Sequence, residues 1–170
     1  MIMEIGKREL KSFNERKFPE EICFHPIGVI HSPFTKLSGI PIQPSMSNET
    51  GKIEIFKNYQ DALLGLNGFS HIFCLYFFDL VKLPVPLQSK PFLKDEIKGV
   101  FAIRTPFRPN PIGLSALKLI EIKGRTIYVD NLDILDNTPV LDIKPFVPQF
   151  DNREITRIGW LEGNIRRKVS

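Results

Sequence analysis

The chain has 170 residues, 42% hydrophobic and 25% charged, which is long enough for one domain that buries a core without disulfide or metal staples. Lys and Arg number 23 against 19 Asp and Glu, and the resulting +4 is compatible with an anionic partner but weak evidence for one. No apolar run approaches a membrane span, and Cys23 and Cys74 form no CxxC pair; both facts point away from a helical membrane protein, a zinc site or a disulfide framework and towards a cytoplasmic protein with reduced thiols.

In chain order, residues 1–24 are charged and weakly patterned and read as an N-terminal arm. The patterned domain covers 25–151 and opens with the strand candidate "IGVIHS". A long loop, Thr35 to Gly51, follows; its Gly, Pro, Ser and Asn content is that of a functional loop. "KIEIF" is the second strand candidate. Next comes a short helix, with Asn58 as N-cap, Asp61 three residues on, and Asn67-Gly68 at its end. "SHIFCLYFF", "GVFAIR", "GLSALKLIEI", "RTIYVDNLDIL" and "PVLDIKPF" supply five more short β-rich segments between Pro, Gly and Asn signals. Residues 152–170 form a basic C-terminal segment expected to pack on the domain, with a second possible helix over "REITRIGWLEGNIRRK".

Seven strand candidates with almost no helix between them predict a mainly β single domain, a sandwich or barrel with one or two short helices. The alternation Ile127, Val129 slips by one to Leu132, Ile134, which predicts a β-bulge around Asp130 and Asn131. The phenylalanines fall mostly in apolar strand patterns and read as core, not as stacking platforms for single-stranded nucleic acid. A GxGxxG turn, a Walker sequence and βαβ alternation are all missing, so the common doubly wound cofactor folds are disfavoured. His25, His31 and His71 have no metal-ligand spacing, and His71 reads as a hydrogen-bonded structural histidine.

Two constellations are left that can carry chemistry. Asp130, Asp133, Asp136 and Asp142 cluster around "DNLDILDNTPVLDIKPF", where they either bond turn amides or line a pocket and accept from ligand hydroxyls or amines. In "RTPFRPNPIGLSA" the prolines at 106, 109 and 111 stiffen the backbone, so Arg104 and Arg108 are presented pre-ordered. Guanidinium forks there suit carboxylates or phosphates, but a rigid crossover with paired arginines is about equally consistent with the residues.

"IGVIHSPF", the "FSH" before an apolar strand, "GVFAIRTPFRPNPIGLSALKL" and "DILDNTPVLDIKPF" together resemble the TsaA-like (TrmO) tRNA methyltransferases over roughly Pro26 to Asp151. The resemblance implies a β-barrel that works as a homodimer, binds S-adenosylmethionine without a metal, and methylates N6 of N6-threonylcarbamoyladenosine next to the anticodon of tRNA. It implies cofactor contacts at Ile42, Gln43 and Pro44, at Asp79 and Leu80, at Arg104 and Leu114, and at Asp133, Ile134, Leu135 and Asp136.

The pattern is departed from in three places. Ile42 stands where the family loop has Arg, Asp79-Leu80 where a histidine and a polar residue are frequent, and Asn137 where Gly is usual. The urea-like N6 calls for a base, for which Asp133, Asp136 and Asp79 are the candidates. Arg108 and the terminal Arg166, Arg167 and Lys168 are the candidates for RNA contact. The alternative is a non-catalytic barrel that binds RNA or an adenosine-type ligand.

Overall fold

The computed structural model describes residues 17–165. Six strands close a barrel: β1 (Gly28–His31), β2 (Gly51–Ile55), β3 (His71–Phe77), β6 (Ile112–Lys123), β7 (Thr126–Asp130) and β8 (Pro139–Pro145), in the order β1-β2-β7-β6-β3-β8 and back to β1. All of the pairings are antiparallel. The two-residue strands β4 (Gln88–Ser89) and β5 (Lys98–Gly99) make a separate ribbon in the long excursion between β3 and β6.

Alternation decides which side chains go inside. On β6, Gly113, Ser115, Leu117 and Leu119 point inwards while Ile112, Leu114, Ala116 and Lys118 point out. The interior is filled by branched aliphatics: Ile30, Ile53, Ile72, Leu117, Ile127, Val129 and Val140 are all fully buried. Each such burial is worth roughly 1.5–3 kcal/mol. Leu132 and Ile134, from the segment after β7, cap one end of this core.

No phenylalanine among the described residues belongs to the buried core, contrary to the expectation from the strand patterns. A six-stranded barrel is narrow, and Phe73 and Phe77 fall on the outward register of β3, where Phe73 packs edge-on against Phe146 at 5.1 Å. Other local expectations are also corrected. "GVFAIR" is not a strand: after two residues of β5, Val100–Ala102 make a 3₁₀ turn. The helix expected from Asn58 is a 3₁₀ segment, Lys57–Leu63, preceded by Phe56 and without a side-chain cap. The second possible helix reduces, in its described part, to a 3₁₀ turn at Gly159–Leu161; the only α-helical turn among the described residues is α1 (Pro148–Asp151).

The expected bulge is misplaced. β7 simply ends at Asp130, and Asn131, with φ of 63°, turns the chain out of the barrel. The register shift lies on the partner strand, between Leu119 and Glu121, where Ile120 and Glu121 both face outwards before Ile122 turns back in.

Gly113 is required by close approach. A Cβ there would lie 2.2 Å from Cε2 of Tyr76, whose ring crosses the β6 backbone. Gly113→Ala therefore has to displace a buried ring and is expected to cost about 1–3 kcal/mol in urea unfolding. Gly68→Ala, at a position with nothing within 4 Å of the added carbon, is the matched control and should leave the midpoint near wild type. Equal midpoints for the two variants would contradict the packing described for Tyr76.

Candidate functional site at one end of the barrel

Antiparallel closure brings distant parts of the sequence to the same barrel end. β1 leaves there into residues 32–50, β3 into 78–111, and β7 into 131–138, while β6 and β8 begin there. Gln43, Asp79, Arg104, Leu114 and Asp133 all belong to these segments.

Hydrogen bonds stitch the segments together. Arg104 Nη1 donates to Gln43 Oε1 at 2.9 Å, which ties the proline-rich stretch to the long loop. On its far side the loop is fastened to the strand-end segment: Ser47 Oγ donates to the Leu132 carbonyl, Asn131 Nδ2 donates to the Ser47 carbonyl (2.8 Å), and Leu132 N–H donates to the Glu49 carbonyl (2.9 Å). Pro44 opens a 3₁₀ turn, Pro44–Met46, that packs against β6. Arg104, Gln43 and the residue preceding Asp133 are thus joined through one continuous network.

Asp133 and Asp136 both lie in the connection between β7 and β8. Asp136 braces that connection. Its Oδ1 accepts from Ser32 N–H (2.9 Å) and its Oδ2 from Asn137 Nδ2 (2.8 Å), while Asn137 itself takes the left-handed backbone, φ 63°, that the Gly of the family pattern would also tolerate. Asp133 is different. It is half-buried, and its Oδ1 accepts from Ser115 Oγ at 2.7 Å; behind Ser115 stands the Tyr76 hydroxyl at 3.3 Å. Burial pushes the Asp133 carboxyl up to about 6, an effect that the Ser115 hydrogen bond and its own backbone N–H only partly oppose. Burial likewise drives the Tyr76 hydroxyl and the Cys74 thiol upwards, so both stay neutral.

The remaining sequence candidates divide by what they touch. Leu114 and Leu80 are exposed at 56% and 62%, as is Asp79, whose backbone N–H turns back onto the Phe77 carbonyl. Ile42 is exposed, Leu135 half-buried, and Ile134 buried in the core, which leaves only its main chain for a ligand. Arg108 Nη1 donates to the carbonyls of Val100 (2.8 Å) and Ile103 (2.7 Å), and its guanidinium stacks over Phe101; it holds the loop that carries Arg104 in shape. Trp160 Nε1 donates to the Ala102 carbonyl of the same loop (2.7 Å). Arg166, Arg167 and Lys168 lie outside the described residues. Asp142 is on β8, paired with Lys144, and His71 is exposed, with Ser70 Oγ at 3.0 Å from its Nδ1. Among the described residues no group of three or more His, Cys, Asp or Glu side chains is placed to hold a metal ion.

Tyr76 and Ser115 were not singled out from the sequence. The available signal is slight: both are polar residues on inward-facing positions of otherwise apolar strands.

A cavity of about 750 Å³ runs along the outside of β1, β2 and β7 and meets this set of residues only at Asp136. It is rimmed by Glu54, which His31 and Arg125 hold below the usual carboxylate range. Surface pairs of that kind contribute little to stability.

The model of the tRNA-methyltransferase O N-terminal domain matches residues 29–152. The chain belongs to that family. It is 47% identical over 150 residues to a probable S-adenosyl-L-methionine-binding protein of Pyrococcus abyssi, covering 88% of this chain and 81% of that protein. The mouse tRNA (adenine(37)-N6)-methyltransferase is 37% identical over 75% of this chain, which spans 31% of the mouse protein. The crystal structure of TrmO from Pseudomonas aeruginosa superposes with a TM-score of 0.70 at 36% identity, covering 82% of this chain and 62% of that one. Family membership accounts for the closed barrel.

The raised Asp133 carboxyl has a sign that can be tested. In the unfolded chain the group ionises near 3.8, in the folded protein near 6, so the folded state holds the proton more tightly. Its favourable contribution is complete below pH 3.8 and is lost as pH rises through about 6. Asp133→Asn keeps an acceptor for Ser115 but removes the titration. The variant's stability relative to wild type, read from urea unfolding, should therefore rise between about pH 4 and pH 7; a flat difference would exclude burial as the dominant cause.

Proposed function

We propose that this chain is an S-adenosylmethionine-dependent methyltransferase that methylates N6 of N6-threonylcarbamoyladenosine next to the anticodon of tRNA, in the cytoplasm. The observation that carries the reading is the Arg104–Gln43 hydrogen bond at the same barrel end as Asp133, in a chain whose relatives include proteins named as S-adenosyl-L-methionine-binding and as tRNA (adenine(37)-N6)-methyltransferases.

The donor set suits the cofactor. Arg104 offers a guanidinium fork for its carboxylate, Asp133 an acceptor for ammonium or ribose hydroxyls, Gln43 an amide already oriented by Arg104, and Leu114 an exposed apolar surface for a purine or thioether. Pro44, Asp79, Leu80 and the backbone of Ile134–Leu135 complete the proposed contacts. When bound, S-adenosylmethionine supplies a methyl group as a sulfonium. The protein's own work is alignment and exclusion of water, since in-line transfer to nitrogen develops no oxyanion. With Ile42 in place of a basic residue, charge pairing to the cofactor beside Gln43 falls to Arg104, which reaches the loop from the proline-rich stretch.

RNA contact is assigned to Arg166, Arg167 and Lys168 and to the N–H groups of Arg108 not engaged with Val100 and Ile103. The chain is also proposed to form a homodimer. Leu80, Leu83 and Phe101, exposed at 62%, 58% and 81%, surround the site end with apolar surface that a second copy would cover. Light scattering should give twice the chain mass, and Phe101→Asp should reduce it towards the monomer.

Transfer of labelled methyl to tRNA carrying the threonylcarbamoyl group, and not to tRNA lacking it, is the expected outcome of the direct assay. Arg104→Ala should abolish cofactor binding in calorimetry. Label on neither tRNA, with the cofactor still bound, would favour a non-catalytic adenosine-binding barrel; unchanged affinity in Arg104→Ala would remove that residue from the pocket.

A further inference from the structure

Three carboxylates at the site end are placed to serve the reaction, and their surroundings separate them. Both oxygens of Asp136 are taken, by the Ser32 amide and the Asn137 side chain, and moving it would release the β7–β8 connection. Asp79 is exposed, with no side chain among the described residues holding it. Asp136 is half-buried as well, but Asp133 alone is held and half-buried with an oxygen to spare: among the described residues Ser115 Oγ is its only side-chain partner, on Oδ1, and Oδ2 accepts from no side chain.

The direction of the hydrogen bonds follows from the chemistry. An ionised carboxylate only accepts, so Ser115 donates its proton to Asp133 Oδ1; its oxygen is then left to accept, and Tyr76 must be the donor at 3.3 Å. Tyr76 is fixed in turn. Its ring lies across Gly113, where even a methyl would collide, and meets Phe78 edge-on at 5.1 Å between centroids. Ser115 and Tyr76 are 1% and 6% exposed, so the chain of hydroxyls runs through the barrel interior and ends on Asp133 at its mouth. Each of these buried hydroxyls is hydrogen-bonded, which offsets the cost of placing it among aliphatics and fixes its orientation.

We propose that Asp133 is the proton acceptor of the methyl transfer, and that Ser115 and Tyr76 are positioning residues that hold Oδ1 so that Oδ2 is the oxygen free for the departing proton. The proposal rests on the methyltransferase reading above. In the step, the N6 lone pair forms the new N–C bond, the C–S bonding pair stays on sulfur, and the N6 proton passes to Asp133 Oδ2. Positive charge on sulfur and negative charge on the carboxylate are extinguished together, and Asp133 then returns its proton to water. A carboxyl near 6 suits this duty, being ionised at neutral pH yet basic enough to take a proton from a urea-like nitrogen.

The test is single-turnover methyl transfer to threonylcarbamoylated tRNA at saturating S-adenosylmethionine, from about pH 5 to pH 8, with cofactor affinity measured separately by calorimetry. The wild-type rate should rise with a single ionisation near pH 6. Asp133→Asn should lose about 10²-fold or more in the rate at saturating cofactor, beyond any weakening of cofactor affinity that its lost contact brings and that calorimetry reads separately. Ser115→Ala and Tyr76→Phe should each lose roughly tenfold, with cofactor affinity within a few-fold of wild type. Ser115→Ala should also move the ionisation to higher pH, since its hydrogen bond favours the charged carboxylate, and Ser115→Thr should restore both rate and midpoint. A merely structural role would lower stability without moving that midpoint.

An active wild type whose Asp133→Asn variant keeps the saturated rate and loses only cofactor affinity overturns the proposal and leaves the function standing. So does a Ser115→Ala variant with unaltered rate and midpoint. A wild type that transfers methyl to neither tRNA overturns the base assignment together with the function. In that case carbon-detected titration of the Asp133 carboxyl, unshifted between wild type and Ser115→Ala, would remove the positioning role as well.

Discussion

Closure of the barrel between β1 and β8 is the constraint on which the site depends. The seam is short: Gly28 pairs with Val140 and Val29 with Pro139, reinforced by the Ile27 amide on the Val140 carbonyl and the Ile30 amide on the Thr138 carbonyl. An open sheet of the same strands would leave the long loop after β1 and the connection before β8 at opposite edges. Closed, it sets them side by side, and the Asp136 carboxylate on the Ser32 amide, with the Asn137 amide on the Ile30 carbonyl, fastens them. Asp136 is thus better understood as part of the closure than as part of the chemistry.

The same closure decides what fills the interior. Six strands leave room for layers of Ile, Val and Leu, and push the aromatic rings to the outside or to the barrel ends. Tyr76 is the exception: it is accommodated only because the facing residue on β6 is glycine, and because its hydroxyl has Ser115 to bond. The polar chain from Tyr76 to Asp133 therefore exists where the aliphatic filling stops, at the end capped by Leu132 and Ile134. Core and site meet along one segment, residues 131–136, whose side chains alternate between plugging the barrel and facing its mouth.

How much of this was legible in the sequence follows from the range of the interactions involved. Strands with clean alternation, such as "GLSALKL" and "KIEIF", could be read because each strand by itself records which face is buried. "GVFAIR" could not be told from a strand by composition. What makes it a 3₁₀ turn is tertiary: Arg108 clasps the Val100 and Ile103 carbonyls, and Trp160 clasps the Ala102 carbonyl. The apolar slip from Val129 to Leu132 was a real signal with two physical sources, a bulge or a chain leaving the sheet, and the left-handed Asn131 selects the second. Among the candidate residues, Arg104 and the aspartates stood out because charge and proline stiffness mark them locally, whereas Gln43 came in only through the family resemblance. Ser115 and Tyr76 did not, because what matters about them is that two inward registers on paired strands meet.

That difference bears on how sites in small barrels are to be found. The residues proposed to touch a ligand sit mostly on loops, where they interrupt patterns and can be noticed one at a time. The residues that aim them sit on strands, where a serine in an apolar alternation looks like a minor irregularity. In this barrel the irregular inward positions are Gly113, Ser115 and Tyr76, and they lie together on two paired strands beneath the only half-buried carboxylate of the β7–β8 connection that is not spent on bracing it. In the proposed reading, polar or missing side chains on the inward register, converging from adjacent strands on one acid of the β7–β8 connection, are therefore an indication of the site independent of the charge of its loops. Here the two indications coincide at Asp133, and that coincidence distinguishes it from Asp136, which shares its loop but serves the fold.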